Sequence, residues 1–581
     1  MRPKVTGGAS PFAPLGMGMM GSGRARSVWR LVRRIAIPIS VALVVVLVFS
    51  TAGSPWLRPS VLGGVGRLVQ AVEDARNVAE EFPDTESEVA GTLAITHGVA
   101  SGDVTASSAI IWTRASGPAR MFVEYDADPT FQRPESGAIV QLLESTDYTG
   151  VVRLERLSPG TRYHYRVWLE QSGAGGPPTI SESRAGTFGT APEAPTSGPV
   201  SFVFGADLGG DGYCRRIHGG YEIFRVMQEL APDFFVAMGD MVYADRTCPA
   251  NGPDGWRNRP GGFRDVDNLA VDWTNLAQLR EIYLRHWSYN RADASLRAFL
   301  AAVPMYATWD DHEVINDFGG GWSHWNALNA TRAGYSNLVE AGREAFFSYS
   351  PIDRDPAQPN RIYRSFNWGR HLDLFVLDTR SYRSRNDLPD TAENEKTMLG
   401  VEQLQWLMRG LAESTATWKA VVSSVTLSVP TGGPGAAIFG RDGWANGSGG
   451  DIASRTGFER ELLDLIRFLD ENRIANVVFL AGDIHQAASI RYEIDANDDG
   501  RPLVFHEFVV GPLSATTRAG QNPPLDPTLN PTLLYGEGGF FNFGFIRVDP
   551  QPDGEALLTA DVRGADGRQR PGSLVVLRSS R

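Results

Sequence analysis

Four short apolar runs in this chain each stop at an acid, and that repeated pattern restricts the fold more than any other feature of the 581 residues. Phe234-Phe235-Val236-Ala237-Met238 runs into Gly239-Asp240-Met241-Val242-Tyr243, and Ser201 to Phe204 run into Gly205-Ala206-Asp207-Leu208-Gly209. Val303 to Trp309 run into Asp310-Asp311-His312-Glu313, and Val477 to Leu480 run into Ala481-Gly482-Asp483-Ile484-His485. Short, continuous apolar runs bounded by turn residues read as strands covered on both faces. Open α/β sheets built from such strands bind their ligands at the carboxyl edge. Acids gathered at one edge repel each other unless positive charge sits among them, so metal ions are expected there.

At the start of the chain, Arg24, Arg26, Arg30, Arg33 and Arg34 precede an apolar run from Ile35 to Phe49 that closes on Ser50-Thr51-Ala52-Gly53. A basic region, an apolar region and a small-residue exit predict export to the periplasm, cell surface or medium. Residues 1–54 are therefore read as a signal peptide or a membrane anchor, with 35–50 as the attaching segment. Residues 55–92 are mixed and polar and read as a linker or stalk. What remains exceeds the length one core usually organises, which predicts two domains, 93–192 and 200–578. A net charge of −12 with no basic stripe excludes a nucleic-acid surface, and a monomer is expected. Cys214 and Cys248 either pair in an oxidising compartment or stay as two free thiols, and neither fits a zinc pattern.

Between 93 and 192 the chemistry is that of β-strands. Ala109 to Thr113, Arg120 to Tyr125 and Arg162 to Trp168 are short, rich in aromatic and β-branched residues, and spaced by turn residues. Leu157-Ser158-Pro159-Gly160-Thr161-Arg162-Tyr163-His164-Tyr165 resembles the turn and tyrosine corner of a fibronectin type III or immunoglobulin-like sandwich. His97 and His164 have no partner set here and read as strand or turn residues. Thr190 to Gly198, rich in Pro, Ala and Ser, reads as an interdomain linker.

From Val200 strands alternate with helical stretches at Tyr221 to Leu230, Leu276 to Tyr289, Glu402 to Glu413 and Phe458 to Asn472, which predicts an α/β domain. Gly239-Asp240-Met241-Val242-Tyr243, Trp309-Asp310-Asp311-His312-Glu313, Val376-Leu377-Asp378-Thr379-Arg380-Ser381-Tyr382-Arg383 and Gly482-Asp483-Ile484-His485 resemble the PhoD-type alkaline phosphatase family. Gly98-Val99-Ala100-Ser101-Gly102-Asp103 and Ile111-Trp112-Thr113-Arg114 are similar to that family's N-terminal domain. The resemblance spans residues 95 to 515. It implies a calcineurin-like metallophosphoesterase: a two-sheet α/β sandwich, preceded here by the all-β domain, with a metal pair between the sheet edges.

Carried over by position, the resemblance implies that Asp240 bridges two ions, with Asp207, Tyr243 and His485 at one and Asp311 and Asp483 at the other. A phenolate with Asp and His suits Fe3+, whereas carboxylates alone suit Ca2+, Mg2+ or Mn2+. The sequence departs from the family at Asp207, where a cysteine is usual, and is closer there to purple acid phosphatases. Those enzymes add two histidines at the second ion. Asp483 stands in place of one, and Val421-Val422-Ser423-Ser424-Val425 holds no other.

In the implied mechanism a metal-bound hydroxide attacks the phosphorus of a phosphate ester. His312 then stabilises the transition state or protonates the leaving oxygen, and Arg380 either clamps the phosphate or pairs with a structural acid such as Asp378. Asn316 is a candidate for a supporting role around the ions, as is Asp378. Phosphomonoester hydrolysis is expected first. A phosphodiesterase or phospholipase D-like enzyme uses the same metal pair, and a calcium-dependent surface-binding protein with a degenerate site is the alternative of another class. Asp495-Ala496-Asn497-Asp498-Asp499-Gly500 opens like an EF-hand loop but lacks its final glutamate, and reads as a hairpin turn. Trp322 to Trp325 are candidates to line the substrate mouth.

Overall fold

The computed structural model of the protein describes residues 92–172, 177–319, 332–386, 388–431, 443–446 and 457–580. The expected signal or anchor segment and nearly all of the expected stalk lie outside the described residues, as do Trp322 to Trp325. Among the described residues no helix is long and apolar enough to cross a membrane.

The first nine strands are β1 (Ile95–Gly102), β2 (Ser108–Ala115), β3 (Ala119–Asp126), β4 (Glu135–Ser136), β5 (Val140–Leu142), β6 (Thr149–Glu155), β7 (Arg162–Gln171), β8 (Thr179–Ile180) and β9 (Arg184–Gly189). Along β3 every second residue is buried, and β7 alternates in the same way. That period of two gives each strand one core face. Strands β3, β4, β5, β7, β8 and β9 form one antiparallel sheet. Its inner residues Met121, Val123, Tyr165 and Val167 pack against Val99, Ile111, Val152 and Leu154 of β1, β2 and β6. The Tyr163 hydroxyl accepts the Ser158 backbone N–H at 2.9 Å, pinning the turn that enters β7.

The rest of the chain gives β10 (Val200–Gly205), α1 (Ile223–Glu229), β11 (Phe234–Ala237), α2 (Leu276–Arg291), α3 (Ala294–Ala302), β12 (Met305–Ala307), α4 (Arg332–Tyr349), β13 (Arg364–Trp368), β14 (Leu372–Val376) and α5 (Gly400–Glu413). Then follow β15 (Trp418–Val422), α6 (Glu459–Glu471), β16 (Val477–Ala481), β17 (Ala487–Ile494), β18 (Leu503–Val509), β19 (Pro531–Glu537), β20 (Asn542–Pro550), β21 (Ala556–Gly564) and β22 (Val575–Arg578). One sheet has nine strands, in the order β22-β21-β20-β10-β11-β12-β1-β2-β6, and a second has seven, in the order β13-β14-β15-β16-β18-β17-β19. The nine-stranded sheet thus takes strands from both sides of residues 190–198, joined where Gly102 of β1 lies beside Met305 of β12. At the hinge between these stretches Thr190 and Ala191 are themselves buried.

The two sheets face each other across one apolar layer. Phe202, Phe204, Phe234, Val236 and Tyr306 come from the first sheet, and Leu374, Val376, Val422, Val478 and Leu480 from the second. The alternate residues of β11, Phe235 and Ala237, point the other way, onto Phe224 of α1 and Phe299 of α3. Both faces of β11 are therefore covered, which is why its sequence is apolar without alternation. Helices α5 and α6 cover the outer face of the second sheet through Leu407, Leu411, Leu462, Leu465 and Leu469. Each of these fully buried side chains contributes roughly 1.5–3 kcal/mol. Helices α2 and α3 start at side-chain caps: the Asn275 side chain accepts from Gln278 N–H at 3.1 Å and Asp293 from Leu296 N–H at 3.0 Å. Residues 495–500 form the turn of the β17–β18 hairpin, with the Asp495 carboxylate accepting from the Asp499 and Gly500 N–H groups.

Candidate metal centre

Strands β10, β11 and β12 lie parallel and end together, so Asp207, Asp240 and the pair Asp310-Asp311 arrive at one edge. Strand β16 of the facing sheet adds Asp483 and His485. The chain turns sharply as it leaves each strand. Asp207, Asp240, Asp483 and His485 have φ of 65°, 52°, 69° and 55°, a left-handed region that non-glycine residues enter at a cost of order 1 kcal/mol or more. Gly239 precedes Asp240 at φ 107°, and a Cβ there would lie 2.5 Å from the Asp310 backbone nitrogen. Only glycine lets β11 and β12 approach closely enough to set their acids side by side.

Three overlapping groups result, and within each the ligand atoms lie within 4.8 Å of one another: Asp207 with Asp240 and His485, Asp240 with Asp311 and His312, and Asp310 with Asp311 and Asp483. Asp240 belongs to the first two. The Tyr243 hydroxyl joins the first group 2.8 Å from His485 Nε2, and its ring stacks on His312 with centroids 4.1 Å apart. Asp207, Asp240 and Asp311 are buried, while the side chains of Asp483 and His485 keep 12% and 14% of their surface. The centre therefore opens on the β16 side.

Burial, and then the charge of Asp310, hold the Asp207 carboxyl well above the usual range, and burial with the charge of Asp311 does the same to Asp240. Burial and the Asp240 carboxylate raise Tyr243 likewise. Burial lowers His485 to about 4, leaving a neutral imidazole. Its Nδ1 hydrogen-bonds the Thr516 carbonyl, which can only accept, so the lone pair is on Nε2 and faces the acids. Both oxygens of Asp207 and Oδ1 of Asp311 have no hydrogen-bond partner among the described residues, and the neutral His485 Nε2 lies 3.7 Å from Asp207. Buried carboxylate oxygens left without donors are costly. Bound metal would answer that cost, and the set of carboxylates, phenol and imidazole fits a metal site.

Around this centre, supporting residues fix the geometry. Glu313, fully buried, accepts the backbone N–H groups of Asp240, Met241 and Asp310 at 2.8–2.9 Å, tying the ends of β11 and β12 together. His312 Nδ1 donates to Asp245 Oδ1 at 2.6 Å, which leaves Nε2 free. Burial alone would lower the His312 pKa, but the carboxylates of Asp245 and Asp311 outweigh it and raise it to about 9. The backbone N–H of Asn316 reaches the other oxygen of Asp245 at 3.1 Å. Asp378 accepts from Trp309 Nε1 and from the Arg380 and Ser381 N–H groups.

Arg380 does not fit a phosphate clamp. Its side chain has no exposed surface, its Nε donates to Asp310, and its Nη2 lies 3.6 Å from Asp311 and 3.8 Å from Asp483. It lies under the acids as their fixed countercharge, and not beside Asp378, because the buried carboxylates draw it inward. Cys214 and Cys248 are joined as a disulfide with Cα atoms 5.8 Å apart. Three residues of the arrangement were absent from the expected site: Asp245, Asp310 and Glu313. Asp310 and Glu313 flank Asp311-His312 and were visible as part of an unusually acidic strand end, but nothing in the sequence couples Asp245 to His312. The exposed Arg518 was missed as well. It sits on the β18–β19 loop, and its N–H donates to the His485 carbonyl at 3.0 Å.

An acid-and-imidazole cluster between two sheet edges defines a metallohydrolase centre. The model of the PhoD-like phosphatase family matches residues 204–551 and that of its N-terminal domain residues 81–192, so the chain belongs to this family and is a metal-dependent phosphoesterase, a hydrolase. Alkaline phosphatase D of Bacillus subtilis (strain 168) is 27% identical over 519 residues, which is 84% of this chain and 80% of that one. A solved structure of PhoD aligns with a TM-score of 0.64 at 21% identity, covering 84% of this chain and 93% of that chain. A purple acid phosphatase from yellow lupin (Lupinus luteus) seeds aligns with a TM-score of 0.49 at 15% identity over 82% of this chain and 73% of that one.

Proposed function

We propose that the protein is an exported phosphomonoesterase working at a two-metal centre, with Asp240 bridging. Asp207, Tyr243 and His485 hold one ion, Fe3+ by its donors, and Asp311 and Asp483 hold the second, Ca2+, Mg2+ or Mn2+. The observation that carries this reading is that Asp240 shares one group of ligand atoms with Asp207 and His485 and another with Asp311 and His312, while Asp311 also groups with Asp483, each group within 4.8 Å. When bound, such a pair acidifies water and draws charge from the phosphoryl oxygens. The chain's own residues do the rest. The Asp245 carboxylate holds the His312 ring by Nδ1 and leaves Nε2 as the proton donor to the leaving oxygen. Arg380, with Asp310, keeps the acids from splaying apart before the ions arrive. Arg518 stands exposed at the open side and meets the anionic ester.

Export is inferred from the basic and apolar residues before residue 54. The test is hydrolysis of paired mono- and diester chromogenic substrates by the apo protein and after adding iron, calcium or both. Higher kcat/KM on the monoester with both metals supports the proposal. Preference for the diester redirects it to phosphodiester hydrolysis, and no turnover with any metal refutes it. An iron(III) phenolate also absorbs visible light, and Tyr243→Phe removes that band.

A further inference from the structure

Below the acid-bearing ends of β10 and β11, walled by α2, α3, β12 and the end of α4, lies a buried cavity of roughly 20 Å³. A space of that size takes one water molecule or one monatomic ion. Most of its wall is apolar, and several of its polar groups are already engaged. Asn290 Oδ1 accepts from the Tyr221 hydroxyl, and Nδ2 donates to the Met241 carbonyl at 2.8 Å. Thr308 Oγ1 donates to the Leu377 carbonyl at 2.6 Å, and the Tyr349 hydroxyl donates to Asp147.

Three groups in the wall are left over, and all can donate: Trp287 Nε1, Arg291 Nε and the Ser350 hydroxyl. None has a hydrogen-bond partner among the described residues, and their residues are 4%, 4% and 1% exposed. Arg291 is the decisive one. Its guanidinium rests 4.2 Å from the centroid of the Trp112 ring and, among the described residues, forms no ion pair with a carboxylate. Burial lowers its pKa to about 10, so it keeps its charge at neutral pH. An aromatic face offsets part of the loss of water around a cation, but a buried charge without a counter-ion is among the least favourable arrangements in a protein. A water molecule carries no charge to offset the guanidinium and accepts from at most two of the three donors.

We infer that this cavity binds a monatomic anion of the size of chloride, held by Arg291, Trp287 and Ser350 as the internal counter-ion of the arginine. Leu208 and Met241, which follow Asp207 and Asp240, form part of the cavity wall, and Asn290, next to Arg291, holds the Met241 carbonyl. Occupancy therefore stiffens the turns that present two of the acids. The inference stands whether or not the centre above holds metals, because its test reads the anion directly.

The full chain, metal-loaded, is crystallised from bromide in place of chloride, and anomalous scattering is measured at the bromine edge. A peak between Trp287, Arg291 and Ser350 is expected; no peak there, or water in its place, overturns the inference. In solution, replacing methanesulfonate by chloride at constant ionic strength raises Tm by about 2 °C and then saturates, because methanesulfonate is too large for the cavity. Arg291→Met, whose side chain still covers Trp112, abolishes the rise. A rise that persists unchanged in this variant counts against the site. If Arg291→Met does not fold, Ser350→Ala is read instead and shifts the chloride midpoint several-fold upward, and an unmoved midpoint counts against the site.

Discussion

Asp207 and Asp311 at the strand ends, and Glu461 and Glu507 in the half built on the seven-stranded sheet, are all buried, yet the two regions treat a buried acid in opposite ways. Glu461 Oε1 accepts the Met398 and Leu399 N–H groups at 2.9 Å, and its other oxygen accepts the Thr397 hydroxyl. Glu507 accepts the Leu427 N–H at 2.7 Å and the Tyr492 hydroxyl at 2.5 Å. Both are complete without any added group and serve as braces between loops and strands. Asp207, by contrast, has neither oxygen hydrogen-bonded, and among the described residues no other buried carboxylate is left so. Burial alone does not mark a site. Burial with both oxygens left over does, because the fold has paid desolvation there and leaves the compensation to a cation.

If that contrast is right, substitutions at the two regions differ in kind. The largest effect belongs to Asp240→Asn, which lowers kcat by more than the roughly 10³-fold that one electrostatic stabiliser supplies, and removes the rise in Tm that metals give the wild type. Arg380→Met takes a buried cation from among Asp310, Asp311 and Asp483 and destabilises the apo protein by about 3–5 kcal/mol in urea unfolding; added metal restores part of it. Cys214→Ala with Cys248→Ala opens the 34-residue separation that encloses Asp240 and Tyr243, costing about 3–4 kcal/mol by the same measurement. Asp245→Asn leaves the fold intact but frees the His312 ring, and kcat falls about 10- to 100-fold with little change in KM.

The smallest effect tests the other region. Burial raises Glu507 to about 7, so the folded state binds its proton more tightly than the unfolded chain does. Its contribution is full below the unfolded pKa of about 4.3 and is lost as pH rises through 7. Glu507→Gln therefore removes a decline in stability on the order of 1–3 kcal/mol between pH 5 and 8, read as Tm against pH, and leaves kcat unchanged.

The strand ends were legible because each combines an uninterrupted apolar run with an acid, and both signals are local. The helices at Leu276–Arg291, Gly400–Glu413 and Glu459–Glu471 were legible for the same reason, their apolar residues recurring at helical spacing. What the sequence hid depends on distant pairing. The Gly102–Met305 contact that extends the central sheet into the N-terminal strands joins residues about 200 apart, and no periodicity reports it. Arg380 reads as a substrate ligand beside Asp378 until the fold places it under three other acids. Asp245 sits two residues past Tyr243 and looks like a turn residue until His312 arrives from β12. Helices α3 and α4 were not anticipated, α3 for being short and α4 for beginning beside a glycine-rich stretch.

The most direct test is anomalous diffraction from crystals of the protein as purified, recorded at the iron edge and at a long wavelength where calcium scatters. The account predicts two ions, both at coordination distance from Asp240, one beside Tyr243 and His485 and the other beside Asp311 and Asp483. Peaks elsewhere, or a single ion that does not touch Asp240, would contradict it.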